Sequence, residues 1–176
     1  MEQTSLLLLQ GEAGRRDGYT LRSPLLLAGS ASARLIAAFM NLPVSVHWFA
    51  LIDQREAGNR AFKAGHNIKA SGLYAQGIAA AELEGDKAAV AVMHSNRSAA
   101  CLGMGAVEEA AREARLCTQQ NAAWSKGYAR LGEALLALGQ WDNAVDALKD
   151  GLELDPHNAA IQDTLQRAVT SSSRHQ

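Results

Sequence analysis

Trp124-Ser-Lys126-Gly-Tyr-Ala-Arg130, followed by the helical run Leu131 to Leu138 and then Gly139, Trp141 and Ala144, is the stretch whose reading decides the fold. Its apolar residues recur at helical spacing, and Gly139 marks the end of a helix because glycine alone adopts a left-handed cap without strain. Written as a helix, it places Lys126 and Arg130 one turn apart on one face. Two like charges so placed cost an isolated helix a few tenths of a kcal/mol. A basic pair that local energetics disfavours raises the question of which anion it faces.

The same arrangement occurs three times. Gly58, Ser98 and Gly132 are equivalent; seven residues later stand Gly65, Gly105 and Gly139, and twelve later Ala70, Ala110 and Ala144. The unit is 34 residues, giving repeats at 51–84, 91–124 and 125–158, with residues 85–90 as an insertion between the first two. Each unit reads as helix, glycine turn, helix, and a period of this length marks a solenoid of stacked helix pairs. Asp155-Pro156 closes the third unit, and Asn158 caps a last amphipathic helix over 159–169 bearing Ile161, Leu165, Ala168 and Val169. Residues 170–176 read as a polar tail with nothing to bury. The expected fold class is all-α, three helix-turn-helix repeats plus a C-terminal capping helix.

Composition agrees with that reading and narrows the function. The 176 residues are 48% apolar with a net charge of −1, enough for one core and no basis for nucleic-acid binding. Cys101 and Cys117 fall inside helical patterns, where they read as small buried hydrophobes in a reducing compartment. His47, His66, His94, His157 and His175 show no ligand spacing with one another or with the cysteines, so neither a metal nor another cofactor is expected. No strand-borne phosphate loop occurs, and nothing indicates catalysis. Glu108, Glu109 and Glu113 read as a solvated helix face, and Trp124 and Trp141 as packing between helices.

Residues 1–50 differ in character and read as a leader. The first lysine of the chain is Lys63, and no acid occurs from Ser23 to Ile52. Arginine with serine suits an organelle transit segment, but Glu2, Glu12 and Asp17 argue against one. Leu35 to Ile52 is 18 residues without a charge, at the lower limit for a membrane span, yet Asn41, Pro43, Ser45 and His47 interrupt it. The bland alternative is a leader that runs into a helix near Val46 and lays Trp48, Phe49 and Ile52 on the next helix. A cytoplasmic location is expected, with organelle targeting by residues 1–50 as the alternative.

The period and its key positions resemble the tetratricopeptide repeat over residues 51–169. The first copy departs from the pattern: Asn67 stands where an aromatic is usual, and Gly72 and Gly77 each weaken its second helix by up to ~1 kcal/mol relative to alanine. Three segments, Arg55-Glu-Ala-Gly-Asn59-Arg-Ala-Phe62, Ser95-Asn96-Arg-Ser-Ala-Ala100 and Lys126-Gly-Tyr-Ala-Arg130, look like the signature segments of heat-shock-organising co-chaperones. In that family they form a carboxylate clamp. Carried over residue by residue, the resemblance implies binding roles for Arg55, Asn59, Asn96, Lys126 and Arg130; Arg55 departs from the family's lysine and presents a planar fork in place of an ammonium. The implied partners are the C-terminal Glu-Glu-Val-Asp type tails of 70- and 90-kDa heat-shock proteins.

The residues support that expectation on their own chemistry. All five lie on the first helices of their repeats, which line the concave side of such a stack. Three cations and two neutral amides converging there suit a group with two carboxylates, as a C-terminal aspartate is. Phe62 and Ala99 would supply an apolar wall for a neighbouring side chain. Spacing alone favours ordinary solvated charges; the matched segments reverse that. Two other functions stay open: an adaptor whose groove takes an internal segment of another protein, and an import receptor anchored by residues 35–52.

Overall fold

The computed structural model describes residues 46–175 of the chain. Seven α-helices follow one another: α1 Val46–Lys63, α2 Asn67–Leu83, α3 Lys87–Gly103, α4 Val107–Gln120, α5 Ser125–Ala137, α6 Trp141–Leu154 and α7 Ala159–Ser173. No strand occurs among the described residues. The pairs α1/α2, α3/α4 and α5/α6 are the three repeats, each packs on the next, and α7 packs on both helices of the last. Helix α1 is described from Val46, and the expectations for residues 1–45 lie outside the described residues. No described helix is long and apolar enough to cross a membrane.

Four turns share one mechanism. Gly65, Gly85, Gly105 and Gly139 sit at φ between +68° and +76°, and each donates its N–H to the carbonyl three residues back. The following residue donates five residues back, as His66 does to Ala61 and Gln140 to Leu135, so two orphan carbonyls per helix are satisfied. Any side chain at these glycines would cost about 1 kcal/mol or more in the left-handed region.

The aligned columns of the repeat are the places where partner helices cross. Gly58 lies beneath the ring of Tyr74, and a Cβ there would stand 2.5 Å from Cε1. Gly132 takes Leu148 in the same way, with a Cβ falling 2.4 Å from Cγ. Ser98 solves the problem differently, donating its hydroxyl to the Ala110 carbonyl at 2.8 Å. Ala70, Ala110 and Ala144 are fully buried opposite these positions. The core follows the stack as three patches, around Tyr74 and Met93, around Cys101 and Ala111, and around Leu148 and Ile161.

Two local expectations need correction, while the insertion at residues 85–90 takes a definite form: Gly85 makes the turn, Asp86 caps α3 by accepting from Ala89 N at 3.0 Å, and Lys87 onward is helical. The extra residues lengthen α2 and α3 to 17 residues each, against 14 for α4 and 13 for α5. Gly77 does not merely weaken α2, because a Cβ there would meet Met93 Sδ at 3.0 Å; its bareness lets α2 and α3 approach. Gly72 faces open space and keeps only the propensity cost.

The second correction concerns the C-terminus. Asn158 caps α7 as expected, accepting from Ile161 N at 3.3 Å, but the helix continues through Ser173. Ser172 donates its hydroxyl to Asp142 at 2.6 Å, and the His175 ring stacks on Trp141 with centroids 3.8 Å apart. The end of the chain therefore closes over α6. Val169, expected on the packed side, is 42% exposed.

Candidate functional site

Helices α1, α3 and α5 lie side by side, and α7 continues the row. This inner row carries every residue of the expected clamp. Arg55 and Asn59 stand one turn apart on α1, Asn96 and Ala99 on α3, and Lys126 and Arg130 one turn apart on α5.

The two asparagines are brought together. Asn59 Oδ1 accepts from the Tyr74 hydroxyl at 2.8 Å and from Asn96 Nδ2 at 3.4 Å. Tyr74 is only 2% exposed, so its hydroxyl is a fixed donor anchored in the core, and burial raises its pKa above the ordinary phenol value. With its oxygen so held, Asn59 presents its NH2 group as the free donor, the polarity an anion requires. Tyr74 was not legible as a site residue. The one signal for it is Gly58, whose missing side chain makes room for the ring.

The basic residues are placed less uniformly. Arg55 and Lys126 are exposed, and Lys126 occupies the first turn of α5, where unpaired backbone N–H groups add positive potential. Arg130 is half-buried; its Nη1 donates to Glu133 on the next turn, and its Nε is buried without a partner. Below it lies Cys117, whose Sγ would be 3.1 Å from a Cβ at Gly127. Burial pushes the Cys117 thiol up to about 12, against the opposing pull of the Arg130 guanidinium. Cys101 is raised by burial too, and both thiols are free and buried, as expected. Phe62 is 39% exposed on α1 and Ala99 half-buried on α3.

Beyond Arg130 the inner face opens into a depression of about 420 Å³, lined by Leu102, Glu133, Leu136, Trp141 and Arg167 among others. Among the described residues no group of three histidine, cysteine or acidic side chains could hold a metal ion.

Glu113 corrects the reading of α4. Only Glu108 of the three glutamates is exposed; Glu113 is 3% exposed and is the hub of a polar network between α2, α3 and α4. Its carboxylate bonds His94 Nδ1 at 2.7 Å and accepts from Arg97 Nη1 at 2.7 Å. Arg97 also reaches Glu109 at 3.5 Å and Ser71 at 3.4 Å, and Glu109 pairs with Arg112. The network joins α2, α3 and α4 close to Asn96, and so fixes the amide side of the groove from behind. Periodicity alone could not show it, because it depends on which residues of α3 face α4.

An antiparallel stack of helix pairs, with amides and cations on its inner row, defines the class: a repeat solenoid. The chain belongs to the tetratricopeptide repeat family. Residues 125–158 match the tetratricopeptide repeat itself. Heat shock protein STI1 of Saccharomyces cerevisiae is 35% identical over 124 residues, which are 70% of this chain and 20% of that protein. The second TPR domain of human RPAP3, solved in complex with an HSP70 peptide SGPTIEEVD, superposes with a TM-score of 0.62 at 30% identity, over 69% of this chain and 97% of that one. The first TPR of Spaghetti (RPAP3), bound to an HSP90 peptide SRMEEVD, gives a TM-score of 0.64 at 25% identity, over 70% and 94%. The chain thus spans about a fifth of the length of the yeast relative and nearly the whole of the isolated domains.

Proposed function

We propose that residues 46–173 are a co-chaperone module, acting in the cytoplasm, that holds the C-terminal Glu-Glu-Val-Asp tails of 70- and 90-kDa heat-shock proteins. The observation that supports this is the Tyr74–Asn59–Asn96 array, which holds the Asn59 oxygen as acceptor and leaves its NH2 group as donor, on the same row of helices that bears Lys126 and Arg130. The α-carboxylate and side-chain carboxylate of the terminal aspartate take these donors together with Arg55, and Phe62 and Ala99 face the residue before it. The peptides seen on the two RPAP3 domains end in the same four residues, which supports the assignment. Neutral amides beside cations let the groove hold two carboxylates without stacking more like charge at one point.

Titration of a fluorescent Glu-Glu-Val-Asp peptide against wild type, Asn59→Ala and Asn96→Ala tests it. Each substitution should weaken binding by roughly tenfold or more, since a hydrogen bond to a charged group contributes about 1.5–3 kcal/mol. Unaltered affinity in both would leave the groove to an internal segment of a partner, the adaptor function.

A further inference from the structure

The donors of Arg130 are already partly assigned before any ligand arrives. A guanidinium holds a carboxylate with two parallel bonds, either through both terminal nitrogens or through Nε and one of them. Neither edge is fully open here. Nε is buried, so no ligand reaches the edge that includes it. Nη1 donates to Glu133, which half-occupies the end-on fork. Glu133 is itself accessible, 38% exposed, and borders the depression that runs on toward Arg167.

We propose that Glu133 is a specificity-determining residue of the groove: an internal carboxylate that occupies Arg130 in the free protein and must yield it to the carboxylate of a bound tail. The inference rests on the clamp reading of the groove. Three features favour competition over simple positioning of Arg130. Glu133 lies one turn beyond Arg130, on the side of the depression; the like-charged pair Lys126 and Arg130 gains a counter-charge from it in the free state; and Arg130 is already oriented by burial of its Nε. An incoming carboxylate meets a cation that is already neutralised locally, and also the negative charge of Glu133 itself. Such a groove rejects weakly anionic chain ends and accepts those that bring two carboxylates together.

The test is a double-mutant cycle, read with a fluorescent Glu-Glu-Val-Asp peptide. Glu133→Gln and Glu133→Ala should each tighten binding by about threefold to tenfold, the scale of a partly exposed ion pair plus relief of repulsion. In an Arg130→Ala background the same changes should shift affinity by no more than about twofold. Helical circular dichroism of each variant confirms that it is folded, which the exposure of Glu133 favours. Binding by the Glu133 variants where wild type binds too weakly to measure also supports the proposal. If both variants bind as wild type or more weakly, while Lys126→Ala still weakens binding by about tenfold or more, Glu133 is no competitor and the clamp stands. If Lys126→Ala binds as wild type, or no variant binds, the clamp itself falls and this proposal with it.

Discussion

The two ends of the groove are built in opposite ways. At the amide end, Asn59 is fixed by the buried Tyr74 hydroxyl, and Asn96 rides on a helix held from behind by Glu113, His94 and Arg97. At the cation end, Lys126 is exposed and Arg130 is held by a partly exposed glutamate on its own helix. The first end is preorganised by the core; the second has to be released. The difference teaches that recognition and stability are entangled at the amide end and separable at the cation end.

The largest expected effect is on stability. Glu113→Ala strands His94 and Arg97 beside a void, and removing one partner from a buried ionic network costs about 3 kcal/mol. Thermal denaturation checks this, and an unchanged melting temperature would mean that the network does not brace the amide end. Next comes Lys126→Ala, which should weaken tail binding by roughly tenfold to a hundredfold. Its melting temperature should hold or rise slightly, since one member of a like-charged pair is gone. A parallel loss of stability would erase the contrast between the two ends. Tyr74→Phe sharpens the contrast from the other side: losing the hydroxyl should cost about 1 kcal/mol of stability and weaken binding a few-fold, so that both readouts move together. The smallest effect lies under the cation end. The Cys117 thiol stays protonated in the fold to about pH 12 but ionises near 9 when unfolded. Its contribution is therefore fully present below pH 9 and is lost as pH rises from 9 toward 12. Urea melts at pH 8 and pH 10 should show that decline, reduced in Cys117→Ala.

Much of this was legible in the sequence because it depends on period. Gly58 and Gly132, and the column through Gly65, Gly105 and Gly139, are backbone requirements of crossing and turning helices and proved to be so, while Ser98 meets its crossing with a side-chain hydrogen bond. The cap at Asn158 was equally local. What escaped depended on pairing between helices. Glu113 looks solvated by composition and is buried because His94 and Arg97 face it across the α3–α4 contact. Residues 85–90 read as an insertion because they break the 34-residue period, but period could not show that they add turns to α2 and α3. The tail looked idle because its partners, Asp142 and Trp141, lie about thirty residues away. At the groove, the resemblance of three segments to co-chaperone signatures singled out Arg55, Asn59, Asn96, Lys126 and Arg130, whereas the partners that tune them, Tyr74 and Glu133, appear only in three dimensions.

The central claim is that the groove reads a free carboxyl terminus, and the most direct measurement compares two ligands that differ only there. Isothermal titration of a Glu-Glu-Val-Asp peptide and of its C-terminal amide, at low salt, removes one of the two carboxylates without touching the protein. The account predicts at least about tenfold weaker binding of the amide, the value of one charge-assisted hydrogen bond or more. Equal affinity for acid and amide would contradict it.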